Sequence, residues 1–442
     1  MSADLAASLS GVGLEELRQR VPKGEFFAGK EWRWSPLPFR LAPALAKELD
    51  SMGHRLLQFA EACELLYRQS VDGRQPAWIA EILDQGKPPE IVALGRDVAF
   101  RGAIARVIRP DLVITEEGFA ICELDQIPGG IGLTAWLNQT YSAFGHKVLG
   151  GAEGMLEGFS SILPKGEIII SDEAATYRPE MEWLAARLAE WKGSSDWRVS
   201  DASARKSWDG TIYRFFELFD LTQVPASSVL FRDAVAGKVS VTPPPKAQLE
   251  EKLWFAFFWM APLREFWLRQ LGERGVQALQ RWIPYTWLLN PEPLPPQAVY
   301  PRLDIQDWKQ LGAFSQKERN LIIKISGFDG RAWGARGVSL GSDLGRNDWE
   351  QAIEGALEEF SIHPHILQIY RHPILSEHPY YDVGGAVQTM KGRVRLSPYF
   401  FVDKNGNEGK AHLGGALATI CPADKKILHG MTDAIMVPTM LG

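Results

Sequence analysis

The segment Arg109 to Thr134, RPDLVITEEGFAICELDQIPGGIGLT, spaces its carboxylates as metal-assisted phosphoryl chemistry would require. Two β-prone runs, Asp111 to Thr115 and Phe119 to Asp125, flank Glu116-Glu117-Gly118. Read as a three-residue hairpin loop with Gly118 in the left-handed position, this sets Thr115 against Phe119 and Asp111 against Glu123. Side chains alternate faces along a strand, so Glu123 and Asp125 share a face and Asp111 joins them from the neighbouring strand. Like charges directly across a strand pair are destabilising, so a cation belongs among them. Magnesium, a hard ion taking one or two carboxylates plus water and substrate phosphates, is the expected one. A solvated polar face without metal is the alternative. Pro128-Gly129-Gly130 would let the backbone approach a ligand closely.

A second run, Leu321 to Val338 (LIIKISGFDGRAWGARGV), puts Lys324 inside an apolar strand and then Gly327, Gly330, Gly334 and Gly337 in a loop. Backbone amides of such a loop can cradle phosphate oxygens while a lysine neutralises charge. It is neither a P-loop nor the glycine fingerprint of a dinucleotide fold. An ordinary long hairpin with a snorkelling lysine is the other reading. Upstream, Lys252 lies in PPPKAQLEEKLWFAFF and reads by itself as a solvated helix lysine. Arg393 and Arg395 share one strand face, and one of them is expected at a phosphate unless the strand is simply a surface one. His363, His365, His372 and His378 are broken up by Pro364, Pro373 and Pro379 and read as loop histidines rather than a metal site. Asp172 and Glu173 suit either a ligand at a strand's carboxyl edge or the entry to a helix.

The elements that must position these groups are mixed. Leu45, Leu49, Met52, Leu56, Phe59, Cys63 and Leu66 form an apolar stripe at helical spacing. Glu167 to Ser171 reads as a strand, followed by a helix opened by Pro179, the order of a Rossmann-like layer. Strands are predicted at Leu321 to Ser326, Val338 to Gly341 and Ile366 to Tyr370. A helix from Asp348 to Phe360 is predicted with Asn347 and Glu350 as a capping box, and a hairpin turn at Asn405-Gly406. LWFAFFWMA, Leu253 to Ala261, is too short to span a membrane and reads as a buried helix.

The hairpin pattern, Arg109-x-Asp111 and then Glu123-x-Asp125 before a small-residue turn, resembles the circularly permuted ATP-grasp family, of which glutathionylspermidine synthase is a member. Asp125 stands where that family usually has Asn. The resemblance implies Asp111, Glu123 and Asp125 as magnesium ligands, with Arg109 beside the transferred phosphate or an acylphosphate. It implies Lys324, with Gly330, Gly334, Arg336 and Gly337, as the lid over the phosphates of ATP. Lys252, preceded by Glu251 where the family has Asn, matches a first ATP-contacting lysine. Ile366 to Tyr370 matches the strand whose backbone meets adenine, with Gln368 nearest the base and Arg395 near a phosphate. The carboxylates precede the lysines, which is the order a circular permutation leaves.

The implied fold is α/β (α+β), with a Rossmann-like pre-grasp layer and a helical N-terminal region. Its expected parts are a helical 1–88, a carboxylate hairpin at 89–150, the layer at 151–242, the lysine and loop domain at 243–362, and the hinge strand and remaining core at 363–442. The implied activity is an ATP- and Mg2+-dependent carboxylate–amine ligation through an acylphosphate, on small-molecule or peptide substrates. An inactive ATP-binding protein and a metal-dependent phosphohydrolase are the alternatives. A net charge of −6 over 442 residues argues against a nucleic-acid binder. Three cysteines, none in a Cys-x-x-Cys pair, and an opening stretch unlike a signal peptide lead us to expect a cytoplasmic protein without membrane association.

Overall fold

The computed structural model describes residues 11–22, 31–203, 205–332, 336–405, 408–428 and 433–442. Its helices are α1 (Leu14–Gln19), α2 (Pro43–Val71), α3 (Ala77–Asp84), α4 (Pro89–Arg96), α5 (Ile131–Ala143), α6 (Gly154–Ile162), α7 (Arg178–Lys192), α8 (Ser227–Val235), α9 (Leu253–Trp259), α10 (Arg264–Trp282) and α11 (Arg346–Glu358). The strands are β1 (Phe39–Leu41), β2 (Val107–Thr115), β3 (Gly118–Asp125), β4 (Gly166–Ile170), β5 (Trp197–Asp201), β6 (Gly210–Phe215), β7 (Val239–Thr242) and β8 (Thr286–Leu288). They continue with β9 (Leu321–Ile325), β10 (Val338–Leu340), β11 (His365–Ile369), β12 (Leu375–Tyr381), β13 (Val387–Asn405), β14 (Glu408–Pro422) and β15 (Ile435–Leu441).

Contacts divide the chain into two compact units. The first gathers Met1–Leu57, Ala105–Pro243 and Pro373–Gly442, and the second gathers Gln58–Ile104 and Pro244–His372. The first unit holds a sheet ordered β1-β15-β14-β13-β2-β3, with β12 paired to β13. β1 runs parallel to β15, and the other pairs are antiparallel. Helix α6 packs on β13 and β14. The same unit carries an all-parallel sheet ordered β5-β4-β6-β7. Its middle strand β4 buries Ile168, Ile169 and Ile170 completely, as a strand covered on both faces does. Helix α7 packs on β5 and α8 on β7, which makes this the expected Rossmann-like layer. Gly193, at φ +67°, caps α7.

In the second unit, β10-β9-β11-β8 form an antiparallel sheet. One face buries Trp287, Leu321, Ile323 and Leu367 against Trp308, Trp349 and Ile353. Helix α9 packs on β8 and β11, and its buried aromatic residues account for the apolar run at Leu253. No described helix is long and apolar enough to cross a membrane.

Most predicted elements are present within a few residues, and two details differ. A strand, β1, interrupts the helical reading of the first 88 residues. Helix α11 starts at Arg346 with Gly345 as its cap, so Asn347 lies inside it and the capping box does not form. Glu350 instead meets Arg346 at 3.0 Å. The Asn405-Gly406 turn falls partly outside the described residues, although β13 and β14 pair up to Asn405↔Glu408.

His378 on β12 is buried, with its Nε2 3.0 Å from Ser35 Oγ and 3.2 Å from the Leu37 carbonyl. Burial depresses its pKa to about 4, against a smaller opposing pull from the Leu37 hydrogen bond. The unfolded chain therefore takes up this proton first. The stability contributed by neutral His378 is complete above about pH 6.5 and lost as pH falls toward 4, by about 3 kcal/mol. Denaturant titrations across that window should show the loss in the wild type and a much flatter response in His378→Gln.

Candidate active site

The hairpin β2–β3 closes with a two-residue loop, pairing Thr115 with Gly118, rather than the three-residue loop expected. A bulge between Asp111 and Leu112 restores the register: Leu112 pairs with Ile121, whereas Asp111 pairs with Glu123, leaving Cys122 as the extra residue. Arg109 stands opposite Asp125. Opposed residues share a face, so Arg109, Asp111, Glu123 and Asp125 line one side of the hairpin. On the neighbouring strand β13, Arg395 pairs with Val113, and Ser397 and Tyr399 follow at alternate positions on the same face.

The cation among the carboxylates is Arg109. Its Nε lies 3.1 Å from Asp111 Oδ1 and its Nη2 lies 2.9 Å from Asp125 Oδ2. Its Nη1 donates to the Gly129 carbonyl at 3.1 Å. Asp111 also accepts from Ser397 Oγ at 2.9 Å, and its other oxygen lies 3.4 Å from Arg395 Nη1. Burial alone would raise the Asp111 carboxyl, but Arg109 and Arg395 outweigh it and hold the pKa below the usual range. Asp125 is the opposite case. Burial lifts it above its ordinary value, Arg109 offsets only part of this, and Glu123 pushes it higher. Its Oδ1 accepts from the Ile127 amide at 2.8 Å.

The turn after β3 closes over this face. Tyr399 Oη donates to the Gly129 carbonyl at 2.7 Å. Gly130 sits at φ +86°, and a Cβ there would come within 2.6 Å of Tyr399 Oη, so neither the backbone conformation nor the space admits a side chain. Tyr213 on β6 is fully buried near enough to Asp125 and Arg109 for their charges to act on its phenol. Its hydroxyl has no hydrogen-bond partner among the described residues. Sequence reasoning passed over Ser397, Tyr399 and Tyr213. The alternation Arg393, Arg395, Ser397, Tyr399 was the available signal for the first two, and none marked Tyr213. Of the two arginines, Arg393 is engaged by the Ala423 and Lys425 carbonyls, and Arg395 joins Asp111. The Arg395 Nε lacks a hydrogen-bond partner among the described residues, a donor suited to a ligand oxygen.

Among the described residues no three His, Cys, Asp or Glu side chains already converge as a metal cage. The donor set is nevertheless all oxygen, which suits magnesium. Asp125, partly exposed and with its negative charge under-compensated, has the most to gain from a divalent ion.

In the second unit, Lys324 is buried and its Nζ donates to Gln368 Oε1 at 2.9 Å. Gln368 Nε2 donates in turn to Thr286 Oγ1 at 2.9 Å, a polar line across β9, β11 and β8. Lys252 Nζ donates to the Ala332 carbonyl at 3.2 Å, which brings it to the glycine-rich loop. Gly330 and Arg336 are exposed on that loop, Gly337 closes it through the Arg331 carbonyl, and Gly334 lies outside the described residues. Strand β11 is flanked on both sides over Ile366 to Gln368, and the Ile369 and Tyr370 amides bond Tyr285 and Asn320. The backbone amides expected to meet a base at Ile369 and Tyr370 are therefore already engaged within the protein. The histidines have separate partners: His363 meets Asp329 at 3.3 Å, and His365 lies 3.9 Å from Glu359.

This is an α+β protein with an ATP-grasp-like fold. A glutathione synthetase-like effector from Globodera pallida, solved in its apo form, shares it over 97% of this chain and 96% of that one, with a TM-score of 0.55 at 10% identity. A protein from Methylobacillus flagellatus KT, provisionally named a gamma-glutamylcysteine synthetase, aligns over 80% and 85% of the two chains with a TM-score of 0.39 at 13% identity, too loose to argue from. No family model and no curated relative matches the chain.

The two aspartates should titrate apart. Carboxyl NMR should show Asp125 taking its proton above the ordinary aspartate value and Asp111 below it, because only Asp111 has two arginines against it. Titration in the reverse order would contradict this charge assignment.

Proposed function

We propose that the protein is an ATP- and Mg2+-dependent carboxylate–amine ligase of the ADP-forming kind, acting through an acylphosphate. The observation that carries this is the hairpin register, which collects Arg109, Asp111, Glu123 and Asp125 on one strand face. The fold shared with a glutathione synthetase-like effector supports it at the level of architecture. Asp111, Glu123 and Asp125 would hold the magnesium, whose role is to neutralise phosphate charge. Arg109 would swing its planar fork from the aspartates toward the transferred phosphoryl group, and Arg395 would donate through its Nε. Lys324 and Lys252, with Gly330, Gly334, Arg336 and Gly337, would take the phosphates of ATP, and Gln368 would lie nearest the base. Catalysis would then consist of positioning and charge neutralisation, as phosphoryl transfer requires.

The reading includes a circularly permuted order, with segment 89–150 giving the metal, 151–242 a pre-grasp layer, 243–362 the phosphate lid and 363–442 the remaining core. A small-molecule or peptide carboxylate and an amine are the substrates, in the cytoplasm. A binding-only protein is the competing reading, favoured by the closure of Arg109 on both aspartates.

Calorimetric titration of ATP with and without Mg2+ tests the site. Wild type should bind in a magnesium-dependent way, and folded Asp111→Ala and Lys324→Ala should each lose ~10-fold or more in affinity. No binding by wild type would end the ligase reading. Release of ADP with hydroxylamine as trapping amine separates the ligase from the binding-only protein.

A further inference from the structure

Glu251 stands where a neutral amide was expected, and it is one of the most enclosed carboxylates in the second unit. Its side chain and that of Lys87 are both 1% exposed, and the two form an ion pair. Lys87 Nζ also donates to the Leu83 carbonyl at 2.6 Å and lies 5.9 Å from the ring centroid of Phe328, a residue of the glycine-rich loop. The second Glu251 oxygen accepts from Ser326 Oγ. That hydroxyl in turn accepts from the Leu253 amide at 2.9 Å, at the first turn of α9. Gly327 follows at φ +61°, and a Cβ there would lie 2.0 Å from Glu251 Oε1. The carboxylate thus occupies the space a side chain would need at the point where the chain leaves β9.

We propose that Glu251 is the positioning residue of the glycine-rich loop, with Lys87 as its counter-ion: together they fix Ser326 and Gly327, and so set where the loop to Gly337 starts and where Lys252 stands. Lys87, on the link between α3 and α4, makes the helical stretch Gln58–Ile104 part of the machinery that sets the loop. The consequence for nucleotide binding rests on the ligase reading above, whereas the anchoring of the loop does not.

The test compares Glu251→Gln, the double variant Lys87→Met/Glu251→Gln, and Ser326→Ala. Glu251→Gln leaves the Lys87 charge buried without its ion-pair partner and should lower Tm. The double variant removes both charges and should recover most of that loss. Hydrogen exchange of residues 326–332 should nevertheless remain ~10-fold faster than wild type in the double variant and in Ser326→Ala, with β9 and β11 unchanged. ATP affinity should fall by a similar factor in both. Wild-type loop exchange in the double variant and in Ser326→Ala would show that the pair serves stability alone and would overturn the proposal. If wild type itself binds no ATP, the ligase reading falls while the exchange measurement still decides the anchor.

Discussion

The first unit depends on one guanidinium. Arg109 reaches Asp111, Asp125 and the Gly129 carbonyl, so a single planar fork ties β2 to β3 and β3 to the turn that starts α5. Without it the opposed carboxylates would face each other in a largely desolvated setting, where unpaired charge is expensive. Removing one partner of such a buried pair commonly costs about 3–5 kcal/mol. Lysine would not serve, because a point charge cannot address two carboxylates and a carbonyl in one plane. The bulge that leaves Cys122 unpaired belongs to the same constraint. It returns Asp125 to the position opposite Arg109 after the short loop has shifted the register by one.

This arrangement divides labour between the aspartates. Asp111 is satisfied from several sides, by Arg109, Arg395 and Ser397, which hold it in place. Asp125 is less well compensated, shares its face with Glu123 and keeps some exposure. A site that must take a cation needs a carboxylate of the second kind, held in place by one of the first. Among the described residues, the Tyr213 hydroxyl and the Arg395 Nε have no hydrogen-bond partner, and both lie near these carboxylates. Donors left without partners in a well-packed interior suit an oxygen-rich ligand, such as a phosphate or carboxylate.

How much of this was legible in the sequence depended on the range of the interaction. The facing of Asp111 and Glu123 was readable from strand alternation, but by compensation: the loop was assumed one residue too long, and the bulge, which no local pattern betrays, corrected it. Lys324 was conspicuous as a charge inside an apolar strand. Its bond to Gln368, and the bond from Gln368 to Thr286, were not, because they depend on a sheet order that joins β8 and β9 through β11. Ser397 lies 286 positions from Asp111, beyond the reach of any local pattern. The stripe of α2 correctly announced burial, yet nothing in it showed that the helix contributes to both units. The Asn347 cap failed because Gly345 starts the helix two residues before a residue type that is statistically better suited.

The two acidic residues that stand where the resemblance would put Asn can now be weighed together. Asp125 and Glu251 each add a negative charge near residues proposed above for chemistry. Either could signal a site drifting out of use. A buried charge without a partner is strongly destabilising, so each of these carboxylates needs a cation beside it. Each has a cation within its own unit: Arg109 at 2.9 Å offsets part of the Asp125 charge, and Lys87 pairs with Glu251 with both side chains enclosed. In each case the cation also holds a neighbouring element, the Gly129 turn for Arg109 and the Leu83 carbonyl for Lys87. In both places an acidic side chain and its cation hold adjacent backbone in a defined geometry.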